Sequence, residues 1–333
     1  MKVVIPVAGV GSRLKPHTFT IPKPLMDVAG KPILDYIVDD VKKLNPDEVV
    51  FVVGYMKKNV QEYVEKTFPD LNCSFVYQKE RDGNGSAIRL ALDKFDEDDD
   101  LFIVFGDTMV DFDYKSILSK RKNTECLVLA MEVDEPSHYG IMNVDEKYEV
   151  LEVEEKPKEP KSNLAIIGVY YFKSLMDVKK QLNDFYEKGI KINGEYNIIQ
   201  PIEAYIKSKT QSVKAVPVKK WFDCGRPSVL LEANQYFLRK VSKGESKKRG
   251  TSIIIPPAYV AKTATIENSV IGPYASVGEG VVIKDSYVKN SIISSLARVE
   301  NIVLKDSLIG KEAIVNGKPS RVNVGEKSEI TLN

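Results

Sequence analysis

Residues 1–25, MKVVIPVAGVGSRLKPHTFTIPKPL, decide how most of this chain is read. Val3–Val7 is a short apolar run of buried-strand type. It gives way at once to Gly9, Gly11, Ser12 and Arg13, and Lys23 follows between two prolines. A glycine-bearing turn directly behind a strand lets backbone N–H groups approach a phosphate with no Cβ in the way. Two familiar phosphate-binding patterns do not fit. Leu14 stands where a dinucleotide fingerprint has its third glycine, and the GK[ST] that closes a P-loop is missing.

Working outward, the strand opens an alternation of apolar runs and amphipathic segments. Ile33, Leu34, Ile37, Val38, Val41 and Leu44 recur at helical spacing. Val49–Val53 then reads as a strand ended by Gly54, Lys57–Lys66 as a helix, Cys73–Tyr77 as a strand, Gly85–Phe95 as a helix and Leu101–Phe105 as a strand. This alternation predicts an α/β, Rossmann-like domain whose mixed, mainly parallel sheet is covered on both faces. Ligands of such sheets bind beyond the carboxyl ends of the strands, and Arg13, Gln78 and Asp107 each follow a strand end. After Cys126 the pattern is mixed, with strands expected at Leu127–Glu132, Val150–Glu154 and Ile166–Phe172 and helices at Leu175–Lys188, Ile198–Lys207 and Ser228–Val241. The acidic run DEDDD, 96–100, reads as a solvated loop, and the lone Trp221 as packing.

Residues 241–250 contain SKGESKKRG and read as an exposed linker between a domain at 1–240 and a second at 251–333. Beyond it the period changes. Val260, Ile266, Ile271, Val277, Ile283, Val288, Ile293, Val299, Leu304 and Ile309 follow one another every five or six residues, with small residues between. Neither a helix nor an ordinary strand keeps that period, whereas a parallel β-helix with short flat faces does. The stretch resembles the hexapeptide repeat of left-handed β-helices.

Charge is nearly balanced, 48 basic against 47 acidic residues, so a global basic field for nucleic acid is absent. Cys73, Cys126 and Cys224 are scattered and form no CxxC pair, as expected in a reducing compartment. No apolar run reaches membrane-spanning length, and the first strand follows Met1-Lys2 with no leader. The expectation is a cytoplasmic protein with neither nucleic-acid nor membrane partners.

The run GVGSRLKPHTFTIPKPL matches GxGxRLxPxTxxxPKPL, and on it the chain resembles the sugar-1-phosphate nucleotidyltransferases, in their glucose-1-phosphate thymidylyltransferase and uridylyltransferase branch. Further segments follow in the family's order across roughly residues 3–230. In YQKERDGNGSA the resemblance implies that Gln78 and Gly83 read the base, and in FGDT that Asp107 meets the nucleotide and a metal ion. In EPSHYG it implies Tyr139 and Gly140 near the sugar, in VEEKP Glu155 and Lys156 at the sugar and its phosphate, and in INGEYNI Glu195 on the sugar. In WFDCGRP it implies Asp223 as a second metal ligand, and at the opening turn Ala8, Gly9, Gly11 and Ser12 as the triphosphate cradle.

The implied reaction joins a nucleoside triphosphate to a sugar 1-phosphate and releases pyrophosphate. Both substrates are anions, so the work is charge neutralisation and in-line placement. Arg13, Lys23 and Lys156 supply cations suited to it, and Asp107 with Asp223 supply hard oxygens for Mg²⁺. The resemblance favours dTTP or UTP with glucose 1-phosphate, and a homo-oligomer assembled through the β-helix. Alternatives are a mannose-1-phosphate guanylyltransferase and a non-catalytic sugar-nucleotide sensor. Residues 251–333 contain no histidine, which argues against His-dependent acyl transfer there.

Overall fold

The computed structural model describes residues 1–121, 124–209, 211–242 and 244–318. The chain divides into two compact units, one made of Met1–Asp27 and Lys31–Ala233, the other of Val28–Gly30 and the chain from Asn234 onward. The division falls within the helix Pro227–Val241, eight residues before the expected linker begins. Within that linker Lys247–Arg249 is a strand, paired antiparallel with Ser252–Ile254.

The first unit is built on a nine-stranded sheet. Lys2–Pro6 lies between Glu48–Val53 and Leu101–Val104, and Glu48–Val53 carries Cys73–Tyr77 on its far side, all parallel. The parallel character stops there. Leu164–Phe172 runs antiparallel to Leu101–Val104, to Cys126–Glu132 and to Gly140–Val144, and Val213–Pro217 adds a parallel edge beside Cys126–Glu132. Hydrophobic alternation sorts the side chains to two faces. Val4, Val50, Val52 and Ile103 join a core with the helices Asn84–Leu92, Leu175–Glu187 and Ile199–Ser208. Phe51 and Phe102 belong to the alternate set, where Phe102 meets the Tyr114 ring at 5.1 Å.

Three features lay beyond the sequence reading. Leu164–Phe172 breaks register between Ile166 and Tyr170, around Gly168 at φ +78°. A Cβ there would lie 2.8 Å from the Phe105 ring, so the glycine makes room for the loop after Leu101–Val104. A second, two-stranded sheet pairs Thr108–Val110 with Trp221–Asp223. The acids of DEDDD hold structure: Asp98 accepts from Ser174 Oγ and the Met176 amide, and Asp100 accepts from Tyr171 Oη and Arg121.

In the second unit, strands of two or three residues fall in rotation into three parallel stacks, which makes a triangular coil. The registers Ile253↔Val270↔Tyr287↔Val303 show a coil of 17, 17 and 16 residues, about three short faces per turn. All ten apolar positions with the five-to-six-residue period point into its core, where Ile271, Val277, Ile283, Val288, Ile293 and Val299 are fully or almost fully buried. Asn268, Asp285 and Asn301 turn one corner at φ of 47°, 46° and 55°, a conformation that Asn and Asp tolerate best among residues with a Cβ. Among the described residues no helix is long and apolar enough to cross a membrane.

Candidate active site

The site lies beyond the carboxyl ends of Lys2–Pro6, Cys73–Tyr77 and Leu101–Val104. Gly11 adopts φ +66° and heads the 3-10 turn Ser12–Leu14, while a Cβ on it would press to 3.0 Å from Thr18 and 3.1 Å from Lys23. Thr18 Oγ1 donates to the Gly11 carbonyl at 2.9 Å, and Tyr55 Oη donates to the Thr18 carbonyl at 3.0 Å. The turn is therefore clamped from two sides. Gly9 faces open space, with nothing within 4 Å of where its Cβ would be.

Two cavities open on this end of the sheet and meet at Asn84, Phe105 and Asp107. The first, of about 300 Å³, is lined by Ala8, Gly9, Lys23, Gln78, Gly83, Arg81 and Glu195 among others. Gln78 is buried, and its Nε2 donates to the Gly83 carbonyl at 3.1 Å. Gly83 sits at φ +125°, where a Cβ would run into the Tyr196 carbonyl at 2.0 Å. The second cavity, of about 500 Å³, is lined by Arg13, Tyr139, Gly140, Glu155, Lys156 and Asp223, joined by Trp221 and Arg226. The structure thus gathers the expected residues, with two differences. Glu195, expected at the sugar, lines the first cavity beside Gln78, because the tight turn Ile192–Glu195 sets it there. Gly11 and Ser12 line neither cavity: Gly11 shapes the turn, and Ser12 is exposed at its start.

The small sheet is what brings the two aspartates together. Thr108 pairs with Asp223, and the Cys224 amide donates to the Asp107 carbonyl at 3.1 Å. Lys23, a buried cation, donates to Asp107 Oδ2 and lies 3.9 Å from Asp223 Oδ1. Arg13 reaches Asp223 at 3.6 Å. Burial raises the Asp223 carboxyl pKa above its ordinary value, the Asp107 charge adds to the rise, and Lys23, Arg13 and Arg226 oppose it. Burial, then Asp223, also raises the Tyr139 hydroxyl. Among the described residues no group of three or more His, Cys, Asp or Glu could hold a metal ion. Two hard carboxylates sharing one cationic contact suit an ion that completes its shell with phosphate oxygens and water.

Sequence reasoning passed over Arg81, Asn84 and Arg226, and read Trp221 as packing alone. Arg81 and Arg226 stand inside the motif segments already singled out, at positions those motifs leave open. Trp221 packs its ring edge-on to Tyr139 at 5.3 Å and so walls the second cavity while packing.

The chain is similar to known proteins. Residues 2–240 match the family model described as nucleotidyl transferase. The chain is 31% identical to the bifunctional protein GlmU of Methanocaldococcus jannaschii, with 98% of this chain and 84% of that protein covered. It is 30% identical to the low-salt glycan biosynthesis nucleotidyltransferase Agl11 of Haloferax volcanii, each covered in full. A solved structure described as a glucose-1-phosphate thymidylyltransferase from Bacillus anthracis, in complex with sucrose, superposes with a TM-score of 0.61 at 26% identity, covering 73% of this chain and 97% of that one.

Proposed function

The chain belongs to the nucleotidyl transferase family, and on that premise we propose that it forms an NDP-sugar and pyrophosphate from a nucleoside triphosphate and a sugar 1-phosphate, favouring dTTP or UTP and glucose 1-phosphate. An oxygen of the sugar phosphate attacks the α-phosphorus. The bond from that phosphorus to the β-bridging oxygen breaks, and its electron pair leaves with pyrophosphate. With a second pKa of roughly 6, the sugar phosphate is already ionised near neutrality, so no residue has to remove a proton. One observation carries the reading above the others: Asp107 stands where the two cavities meet, with Lys23 of the first cavity against it, and Asp223 lines the second cavity with Arg13 3.6 Å away.

The residues take their roles from that geometry. Arg13 and Lys23 neutralise charge on the triphosphate and departing pyrophosphate, and Lys156 holds the attacking phosphate, its Nζ now 3.2 Å from Glu155. Asp107 and Asp223 would hold Mg²⁺, which when bound supplies positive charge to the phosphates. Gly9 leaves its backbone open to the triphosphate. Gln78, whose amide nitrogen is engaged by Gly83, keeps its oxygen to accept from an imide N–H such as that of uracil or thymine. Glu195 is reassigned from the sugar to the nucleotide side, where it lines the first cavity. Free Cys73, Cys126 and Cys224 suit a cytoplasmic setting. Assembly through the coil is supported by an outward ladder of Ile253, Val270, Tyr287 and Val303, the last 71% exposed; light scattering tests it.

A matrix of triphosphates against sugar 1-phosphates, read by pyrophosphate release, tests the assignment. dTTP or UTP with glucose 1-phosphate should give the highest kcat/KM. A maximum at GTP with mannose 1-phosphate replaces this reading with a guanylyltransferase. No pyrophosphate from any pair leaves a sugar-nucleotide sensor. Asp107→Asn and Asp223→Asn should each lower turnover by at least about a hundredfold.

A further inference from the structure

Five cations line the two cavities, and three of them are matched to carboxylates. Lys23 is held by Asp107, Arg13 lies 3.6 Å from Asp223, and Lys156 lies 3.2 Å from Glu155. Neither Arg81 nor Arg226 makes an ion pair within 4 Å among the described residues; Arg81, in the first cavity, lies over the Tyr55 ring at 5.9 Å, and Arg226 is the unmatched cation of the second. Its charge is felt by Asp223 and Tyr139, both of which line that cavity.

Backbone context fixes where Arg226 stands. It immediately precedes the 15-residue helix Pro227–Val241, and the Leu230 amide donates to its carbonyl at 3.1 Å. The helix begins with a proline, so no N–H is wasted at its first position, and its positive end reinforces the guanidinium. The side chain is exposed, so its charge is not neutralised by burial against protein. An arginine stays charged at any working pH and offers a planar fork matched to two oxygens of one phosphate.

We propose that Arg226 is a substrate-binding residue for the phosphoryl group of the sugar 1-phosphate, acting with Lys156; this rests on the transferase reading above. The assignment to the sugar phosphate follows from position. Arg226 lines the cavity of Tyr139, Gly140, Glu155 and Lys156 and is absent from that of Gln78 and Gly83. The motif W-x-D-x-G-x-P leaves its position open, so the assignment stands on the cavity and not on the motif.

The test uses the full chain and the variants Arg226→Ala and Arg226→Lys. Arg226→Ala should raise KM for the sugar 1-phosphate at least about tenfold, as expected for loss of a charge-assisted bond, and leave KM for the triphosphate within about twofold. Arg226→Lys should recover part of the loss, since charge returns without the fork. An unchanged sugar-phosphate KM, or equal rises in both KM values, overturns the proposal. Calorimetric titration with inorganic phosphate gives a second readout that needs no turnover: Arg226→Ala should bind it at least several-fold more weakly than the unaltered chain. If no substrate pair is turned over but this difference is seen, the transferase reading has failed and the anion site stands; equal phosphate binding removes the site.

Discussion

Replacing Gly225 with alanine should abolish most of the chemistry while leaving the fold in place. A Cβ at this position would lie 2.5 Å from the Arg13 guanidinium, 3.0 Å from Asp223 Oδ1 and 3.1 Å from Lys23 Nζ. The φ of Gly225 lies outside the left-handed region, so alanine meets no backbone strain. Each of the three neighbours is the end of a side chain, so the clash is relieved by side-chain movement and the backbone can stay. Ordinary contact begins near 3.4 Å, so Arg13 has to withdraw by roughly 1 Å, a displacement that can cost on the order of a hundredfold in rate. That is about 2.7 kcal/mol of transition-state stabilisation, at about 1.36 kcal/mol per decade.

Stability should move far less, by under about 1 kcal/mol, or roughly 2–4 °C in Tm for a domain of this size. The assay pairs pyrophosphate release under kcat/KM conditions with a thermal melt on the same preparation. Near-normal kcat/KM would show that the three charged groups do not have to stay where they are, and the crowding argument would be wrong. Lost activity with a fall in Tm of more than about 10 °C would refute it differently, by making Gly225 a structural residue.

Gly83→Ala should behave in the opposite way, because its Cβ would meet backbone at 2.0 Å and its φ is +125°; strain and overpacking together should cost roughly 2–6 kcal/mol, and a Tm within about 3 °C of the parent would contradict this. Asp27→Asn tests a partly buried carboxyl whose pKa is raised from 3.8 to about 6 by its burial and then by Asp35. Its folded value exceeds the unfolded one, so ionisation costs stability fully above about pH 6 and the cost fades toward pH 4; the variant should gain up to about 3 kcal/mol at pH 7–8 and nothing at pH 4, and a pH-independent difference counts against it. Asn234 is fully buried, accepts from the Ala29 amide and Ser276 Oγ, and donates to the Tyr274 carbonyl. Asn234→Ala leaves three partners unmet, two of them buried, and should cost at least about 2 kcal/mol; a loss under about 1 kcal/mol in denaturant unfolding would show that water or rearrangement replaces them.

Much of the architecture was legible because it rests on long apolar periodicities. Val49–Val53, Ile33–Lys42 and the inward ladder of the coil are set by which residues must leave water, and burial of this kind leaves a regular trace. Gly140–Val144, Val213–Pro217 and Lys115–Lys120 left weaker traces, since each is only five or six residues long and carries too few apolar positions to show a period. The antiparallel half of the sheet was hidden for a separate reason. Strand direction depends on the connections made after Leu101–Val104, and local hydrophobicity carries no record of them.

The site divides along the same physical line. Arg13, Lys23, Gln78, Asp107, Lys156 and Asp223 could be named from motifs, because phosphate chemistry restricts which side chains serve. What motifs could not supply is the device that brings Asp107 and Asp223 together, since the pairing of Thr108–Val110 with Trp221–Asp223 joins segments more than a hundred residues apart through strands of three residues each. Nor does a motif show that Glu195 lines the same cavity as Gln78, at the close of a four-residue turn from Ile192. Arg226 makes the point most clearly. In the sequence it is one arginine before a proline; only when Lys23, Arg13 and Lys156 are each seen against an acid does its lack of one become a chemical fact. A cation left unmatched in a cavity lined with acids already engaged elsewhere is a place where an incoming anion gains a bond without first breaking one.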